Sequence, residues 1–229
     1  MRRVPVRGAA LGAAACAYFS KIRPWHLRYG ATDEEVARLL PGDELIPDAK
    51  IEATRAISVR ARPDDVWPWV VQLGQDRGGF YTYDWLENVF ALGIHSTDRI
   101  LHEWQHRDVG DFVRGGAWGS SGWYVMEIEP PRVLVLQAGD ERRGRPARPD
   151  DPPVGTFTWS FVAEDSAEGE TRLIVRARWG FTNSLARPLV EVFESANFVM
   201  TQRMLRGIKD RGERTAACRR AVELEGTAA

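Results

Sequence analysis

Residues 171–212, TRLIVRARWGFTNSLARPLVEVFESANFVMTQRMLRGIKDRG, hold two periodicities in succession. Leu173, Val175, Ala177 and Trp179 alternate, with Arg172, Arg176 and Arg178 opposite, which is the period of a strand with one face buried. Arginines alternating with Leu and Val in this way read as the wet face of a sheet, or as an anion clamp if they point inward. From Leu185 the period becomes about 3.6. Leu189, Val192, Phe193, Ala196, Met200, Met204 and Ile208 form one stripe, and Glu191, Glu194, Arg203, Arg206 and Lys209 occupy the rest. The pattern predicts a long amphipathic helix to about Gly212, fraying toward Glu223.

Working outward, Phe157, Trp159 and Phe161 alternate in a strand that forms a hairpin with 173–179. Trp123 to Ile128 and Val133 to Gln137 read as two more strands joined at Pro130-Pro131, and strands begin again at Phe112. The polar stretch Glu141 to Asp151 is an exposed loop. Further back, Ile51, Ala53, Ile57 and Val59 share one face of a strand whose pattern Arg55 breaks. Pro63 with Asp64 and Asp65 opens a helix, and Pro68 is expected to divide it into pieces near 64–67 and 69–73. Asp84 caps a helix with Glu87 three residues on, ended by Gly93. Thr32-Asp33-Glu34-Glu35 is a capping box, and Pro41-Gly42 stops the helix it starts. The order predicts an α+β fold, an antiparallel sheet with helices on one face. The expected division is an N-terminal extension over 1–50, a main domain over 51–212, and a helix end with a disordered tail over 213–229.

Composition narrows the function classes. The 229 residues are 28% charged with a net charge of −1, so the excess positive charge that nucleic-acid binding needs is missing. Cys16 and Cys218 have no neighbouring cysteine, which gives neither a disulfide framework nor a CxxC metal site and fits reduced thiols in the cytoplasm. Arg2, Arg3 and Arg7 precede a small-residue apolar run, Gly8 to Phe19, too short to span a bilayer. Ala13-Ala14-Ala15-Cys16 has the small-residues-then-Cys order of a lipoprotein cleavage site, but six of the twelve residues in the run are Ala. The reading is therefore a helical or disordered extension that touches a membrane, on a cytoplasmic protein.

The strand into Ala61-Arg62-Pro63-Asp64-Asp65-Val66-Trp67-Pro68-Trp69 and the closing helix together resemble the Bet v 1-like START superfamily, also called SRPBCC, with its polyketide cyclase/dehydrase proteins. Arg28 to Glu35, Leu40-Pro41-Gly42-Asp43 and Gly79 to Asn88 resemble an uncharacterised bacterial branch of it. The resemblance covers Ile51 to about Arg211. It implies a helix-grip fold, a curved antiparallel sheet wrapped on a long C-terminal helix, with a hydrophobic cavity between them and no cofactor. It implies binding of a lipid or polyketide-like compound, or cyclisation, dehydration or hydrolysis in the same cavity. Neither follows from fold alone.

Several residues are candidates for that chemistry. Tyr81, Tyr83 and Trp85 with His95, Asp84, Glu87 and Arg99 form a polar-aromatic set suited to a small-molecule pocket, with His95 and Asp84 or Glu87 as an acid–base pair. The alternative is a helix cap, core aromatics and a loop histidine. Trp159 and Trp179 are core or cavity wall. Phe193, Asn197 and Met200 on the last helix would line the cavity, Asn197 facing a ligand or bonding nearby backbone. His102-Glu103-Trp104-Gln105-His106 matches HExxH, which binds zinc on an α-helix. The charged residues that follow it and the lack of a third ligand at a familiar spacing lead to no metal site being assigned. Gly74, Gly78 and Gly79 do not follow a strand as a phosphate loop requires. The resulting expectation is a small hydrophobic ligand, no nucleic acid, and a membrane contact through the N-terminus.

Overall fold

A computed structural model describes residues 16–89, 93–115, 120–166 and 169–227, with backbone only at Leu86, Glu87 and Thr227. Most of the expected apolar run at the N-terminus lies outside the described residues. Seven strands form one antiparallel sheet: β1 (Ile51–Val59), β2 (Phe112–Arg114), β3 (Ser121–Glu129), β4 (Val133–Asp140), β5 (Arg145–Pro146), β6 (Thr156–Asp165) and β7 (Thr171–Gly180). The order is β1-β7-β6-β4-β3-β2, with β5 on the end of β4. Helix α1 (Arg23–Leu27) continues a π-helical turn at Tyr18–Ile22, and is followed by α2 (Asp33–Ala37), α3 (Pro63–Val71), α4 (Asp84–Val89) and α5 (Arg187–Thr227).

Register explains the inner face. Ile51 pairs with Trp179 and Val59 with Thr171, so the odd-numbered residues of β1 and β7 point together toward α5. Phe157, Trp159 and Phe161 of β6 and Leu134 and Leu136 of β4 join them in one buried cluster with Val190, Met204, Leu205 and Ile208 of α5. Arg55 does not break the alternation of β1. It keeps it, and points inward. Helix α3 packs beside α5, where the Trp69 indole donates to Thr215 Oγ1 at 3.1 Å and Arg219 forks onto Asp65.

Two local expectations are corrected. Pro68 does not divide α3, because the missing N–H removes a single bond, to the Asp64 carbonyl, while the buried rings of Trp67 and Trp69 hold the helix in place. The outer face of β7 is not wet. Residues 28–47 cross it as a strap, and Arg176 is 2% exposed. Helix α2 starts with the full capping box at Thr32 and Glu35 but ends with carbonyls that no helical N–H reaches. Arg176 donates to the carbonyls of Glu35, Val36 and Arg38 at 2.7, 3.1 and 2.9 Å, and also to Asp43 and Thr54. Arg172 forks onto Glu35, and Arg178 reaches Glu52 and the Ile46 carbonyl. Under the strap, Leu40, Ala56, Val162 and Ile174 form a second small core. Gly42 turns the strap at φ +87°, where a Cβ would meet Val135 at 2.5 Å, so both sterics and backbone favour glycine.

Among the described residues no helix is long and apolar enough to cross a membrane.

Candidate functional site

A cavity of about 470 Å³ opens between β3, β4, the 143–155 loop and the first half of α5. Its walls are mostly apolar: Trp123 from β3, Ala138 from β4, Phe157 from β6, Trp179 from β7, and Phe193 with Asn197 from α5. Arginine and aspartate side chains stand at its rim. Asp151 takes both Arg145 nitrogens at 2.8 and 2.9 Å and the Arg148 amide at 2.9 Å. The Arg145 fork, and next that amide, hold the Asp151 carboxyl well below the usual carboxylate range. The loop that the sequence marks as exposed and polar is therefore clamped on itself.

Behind Trp179 and Asn197 lies a closed polar network. Arg55 and Glu194 form an ion pair with side chains 1% and 0% exposed. Glu194 also accepts from the Trp179 indole at 2.7 Å and from the Asn197 amide at 3.3 Å, and Thr201 donates to Asn197 at 3.2 Å. The remaining Arg55 bond goes to the His26 carbonyl at 3.0 Å, and its guanidinium lies 5.3 Å from the Phe198 ring centre. This network fixes Trp179 and Asn197, two of the groups that face the cavity. Sequence reasoning assigned no role to Arg55 or Glu194. The one signal is at Arg55, a charge placed on the apolar face of a strand; Glu194 reads as part of the polar side of its helix.

The sequence candidates separate into groups. Trp179, Phe193 and Asn197 meet in the cavity. Trp159 lies behind its wall, with ring centres 5.7 Å from Trp123 and 5.0 Å from Phe161. Met200 is half-buried on the flank of α5. Tyr83 and Trp85 border a different, open cleft of about 640 Å³ beside Arg203 and Arg206. Tyr81 reaches that cleft too, but it is buried, accepts from Gln72 at 2.9 Å, and its hydroxyl is pushed well above the ordinary range by burial. His95 is exposed. Asp84 is not its partner, because its carboxylate takes the Ser96 amide and hydroxyl at 2.8 and 2.6 Å. The Glu87 side chain lies outside the described residues. His102–Trp104 is a single 3-10 turn, so His102 and His106 do not share the α-helical face that HExxH chemistry needs. Among the described residues no cluster of three metal-ligating side chains occurs.

His26 links this network to α1. Its ring is buried against Phe198, with Nε2 3.3 Å from the Tyr18 hydroxyl. Burial first, then Arg55 and Arg23, lower its pKa against the opposing pull of Glu194 and Glu191. The unfolded chain then binds the proton more readily than the folded one, so this contribution is whole above about pH 6.5 and declines as pH falls below that. The protection factors of the amides across residues 18–27, with the intrinsic pH dependence of exchange divided out, should therefore be smaller at pH 5 than at pH 7, and less so in His26→Gln. Equal protection at both values would show that the ring does not govern docking of α1.

No family profile matches the chain, and no curated protein does. The chain is similar to several solved structures. A protein of Arthrobacter aurescens is 16% identical over 78% of this chain and 92% of its own, with a TM-score of 0.42. A hypothetical protein of Helicobacter pylori is 12% identical over 77% and 96%, at 0.47, and CalU16 of Micromonospora echinospora is 15% identical over 72% and 86%, at 0.34. In its own element order, sheet topology and closing helix, the chain has the helix-grip fold of the Bet v 1-like superfamily that its sequence resembles.

Proposed function

We propose that this protein binds a small, largely apolar molecule in the cavity between the sheet and α5. The observation that supports this reading is the cavity itself. Its volume of about 470 Å³ falls within the range of roughly 300–1,000 Å³ typical of small-molecule sites. Aromatic walls supply dispersion and hydrophobic burial, and the oriented Asn197 amide supplies a polar contact. Binding is favoured over turnover because His95 and Asp84 lie on the 81–98 segment rather than at the cavity, and Glu194 is committed to Arg55, Trp179 and Asn197.

The test uses the neutral fluorescent probe 1-N-phenylnaphthylamine with the wild-type chain and with Ala138→Phe, whose ring would occupy the cavity. The wild type should enhance the probe's fluorescence saturably at one site. The variant should bind at least about tenfold more weakly with an unchanged circular dichroism spectrum. Equal enhancement by both proteins would place the probe elsewhere and sink the cavity reading.

A further inference from the structure

The first half of α5 carries a second surface. Residues three and four apart share one face of a helix, and Leu189, Val192, Ala196, Val199, Arg203 and Arg206 follow that spacing without a break. All four apolar members are exposed, Val192 to 65% and Val199 to 44%. The core face of the same helix is a different one, through Val190, Glu194, Thr201, Met204 and Ile208. The N-terminal helical segment occupies a third side, fixed by Tyr18 to Ser195 at 2.9 Å, by the Arg23–Glu191 fork, and by Trp25 against Phe198. The apolar row is therefore a face that nothing in the chain covers among the described residues.

Charge selects what fits it. Between Leu185 and Lys209 the helix has two acids, Glu191 and Glu194, and arginines hold both. Arg203 and Arg206 lie in line with the apolar row and have no carboxylate partner among the described residues. Arg203 sits over the Tyr83 ring at 6.0 Å and Arg206 donates to the Tyr29 hydroxyl. A second copy of this face would bring more arginine and no free acid. A lipid surface with anionic head groups offers both an apolar layer and phosphates. Trp25 and Trp85, exposed to 53% and 68%, have the amphipathic ring that suits such a boundary. The first 32 residues hold six Arg or Lys and no Asp or Glu, which adds attraction of the same sign.

We infer that this face of α5 docks on an anionic lipid bilayer, with Leu189, Val192, Ala196 and Val199 entering the acyl boundary and Arg203 and Arg206 meeting phosphates. Phe193 lies on the flank of that row and also lines the cavity, so docking would bring the cavity mouth to the interface. The inference goes beyond the binding reading and does not depend on it.

The experiment is co-sedimentation of the full, ligand-free chain with vesicles of phosphatidylcholine containing 30% phosphatidylglycerol. Both substituted positions of Val192→Asp/Val199→Asp are exposed, so the double variant should fold. It should partition at least about tenfold less than wild type. Arg203→Gln/Arg206→Gln should lose the preference over pure phosphatidylcholine and most of the salt dependence. If the valine variant pellets like wild type while Arg2→Gln/Arg3→Gln/Arg7→Gln does not, the extension is the binder and the inference falls. It falls equally if the wild type stays in the supernatant, whether light scattering gives a monomer or a dimer that the valine variant loses. The probe assay above contains no vesicles, so failure of the cavity and failure of this face are separately visible.

Discussion

Replacing Glu194 by alanine is expected to destabilise the folded chain by about 3–5 kcal/mol, because it leaves the Arg55 guanidinium buried without its counter-charge. Arg55 is 1% exposed, and its other partners are a carbonyl and the face of Phe198. The same substitution strips an acceptor from the Trp179 indole and from the Asn197 amide. A loss of that size is a large fraction of the roughly 5–15 kcal/mol that holds an ordinary domain. The pair Arg55→Met with Glu194→Leu removes both charges and keeps the volume, so it should recover most of the loss. Urea unfolding of the wild type and these two variants tests this. A Glu194→Ala midpoint close to wild type would mean that Arg55 finds water or another partner.

The second large effect is at Arg176. Arg176→Met should cost about 2–5 kcal/mol, since three strap carbonyls lose their donor and Asp43 loses one of its two arginines. Arg176→Lys should not rescue it, because one ammonium group cannot span acceptors arranged around a planar fork. The loss should be local before it is global: limited proteolysis should cut residues 30–47 under conditions where β1 to β7 remain intact. Simultaneous cleavage throughout the chain would contradict a separately docked strap.

The elements that carry their own pattern were legible in the sequence. The hairpin of β6 and β7, strand β1 and the capping box at Thr32 all follow from spacing a few residues wide. So does the existence of α5. What spacing does not contain is which face of α5 is buried. The most apolar row, through Leu189, Val192 and Ala196, is the outer one in its first half. The inner face carries Glu194 and Thr201, which depend on partners such as Arg55, 139 residues away in the chain. Arg176 is the same case, since a cation opposite Leu and Val looks solvated until a strap full of free carbonyls is laid over it. The cavity was partly legible, with Trp179, Phe193 and Asn197 brought to it. Tyr83 and Trp85 went elsewhere because the 81–98 segment is tied to itself through Asp84 and Ser96.

The strap also sets a timetable. Glu35 and Arg176 meet across 141 positions of chain, and among the described residues β1 has β7 as its only strand neighbour in the sheet. During synthesis, at about 5–20 residues per second, residues 28–59 therefore emerge on the order of ten seconds before the segment that will hold them exists. For that interval Ile51, Ile57 and Val59 have no strand to pair with, and the strap carbonyls remain hydrated. Arrival of residues 171–180 then completes two layers at once, β1 on one side and the strap on the other, so the earliest-made part of the described chain is among the last to acquire its structure.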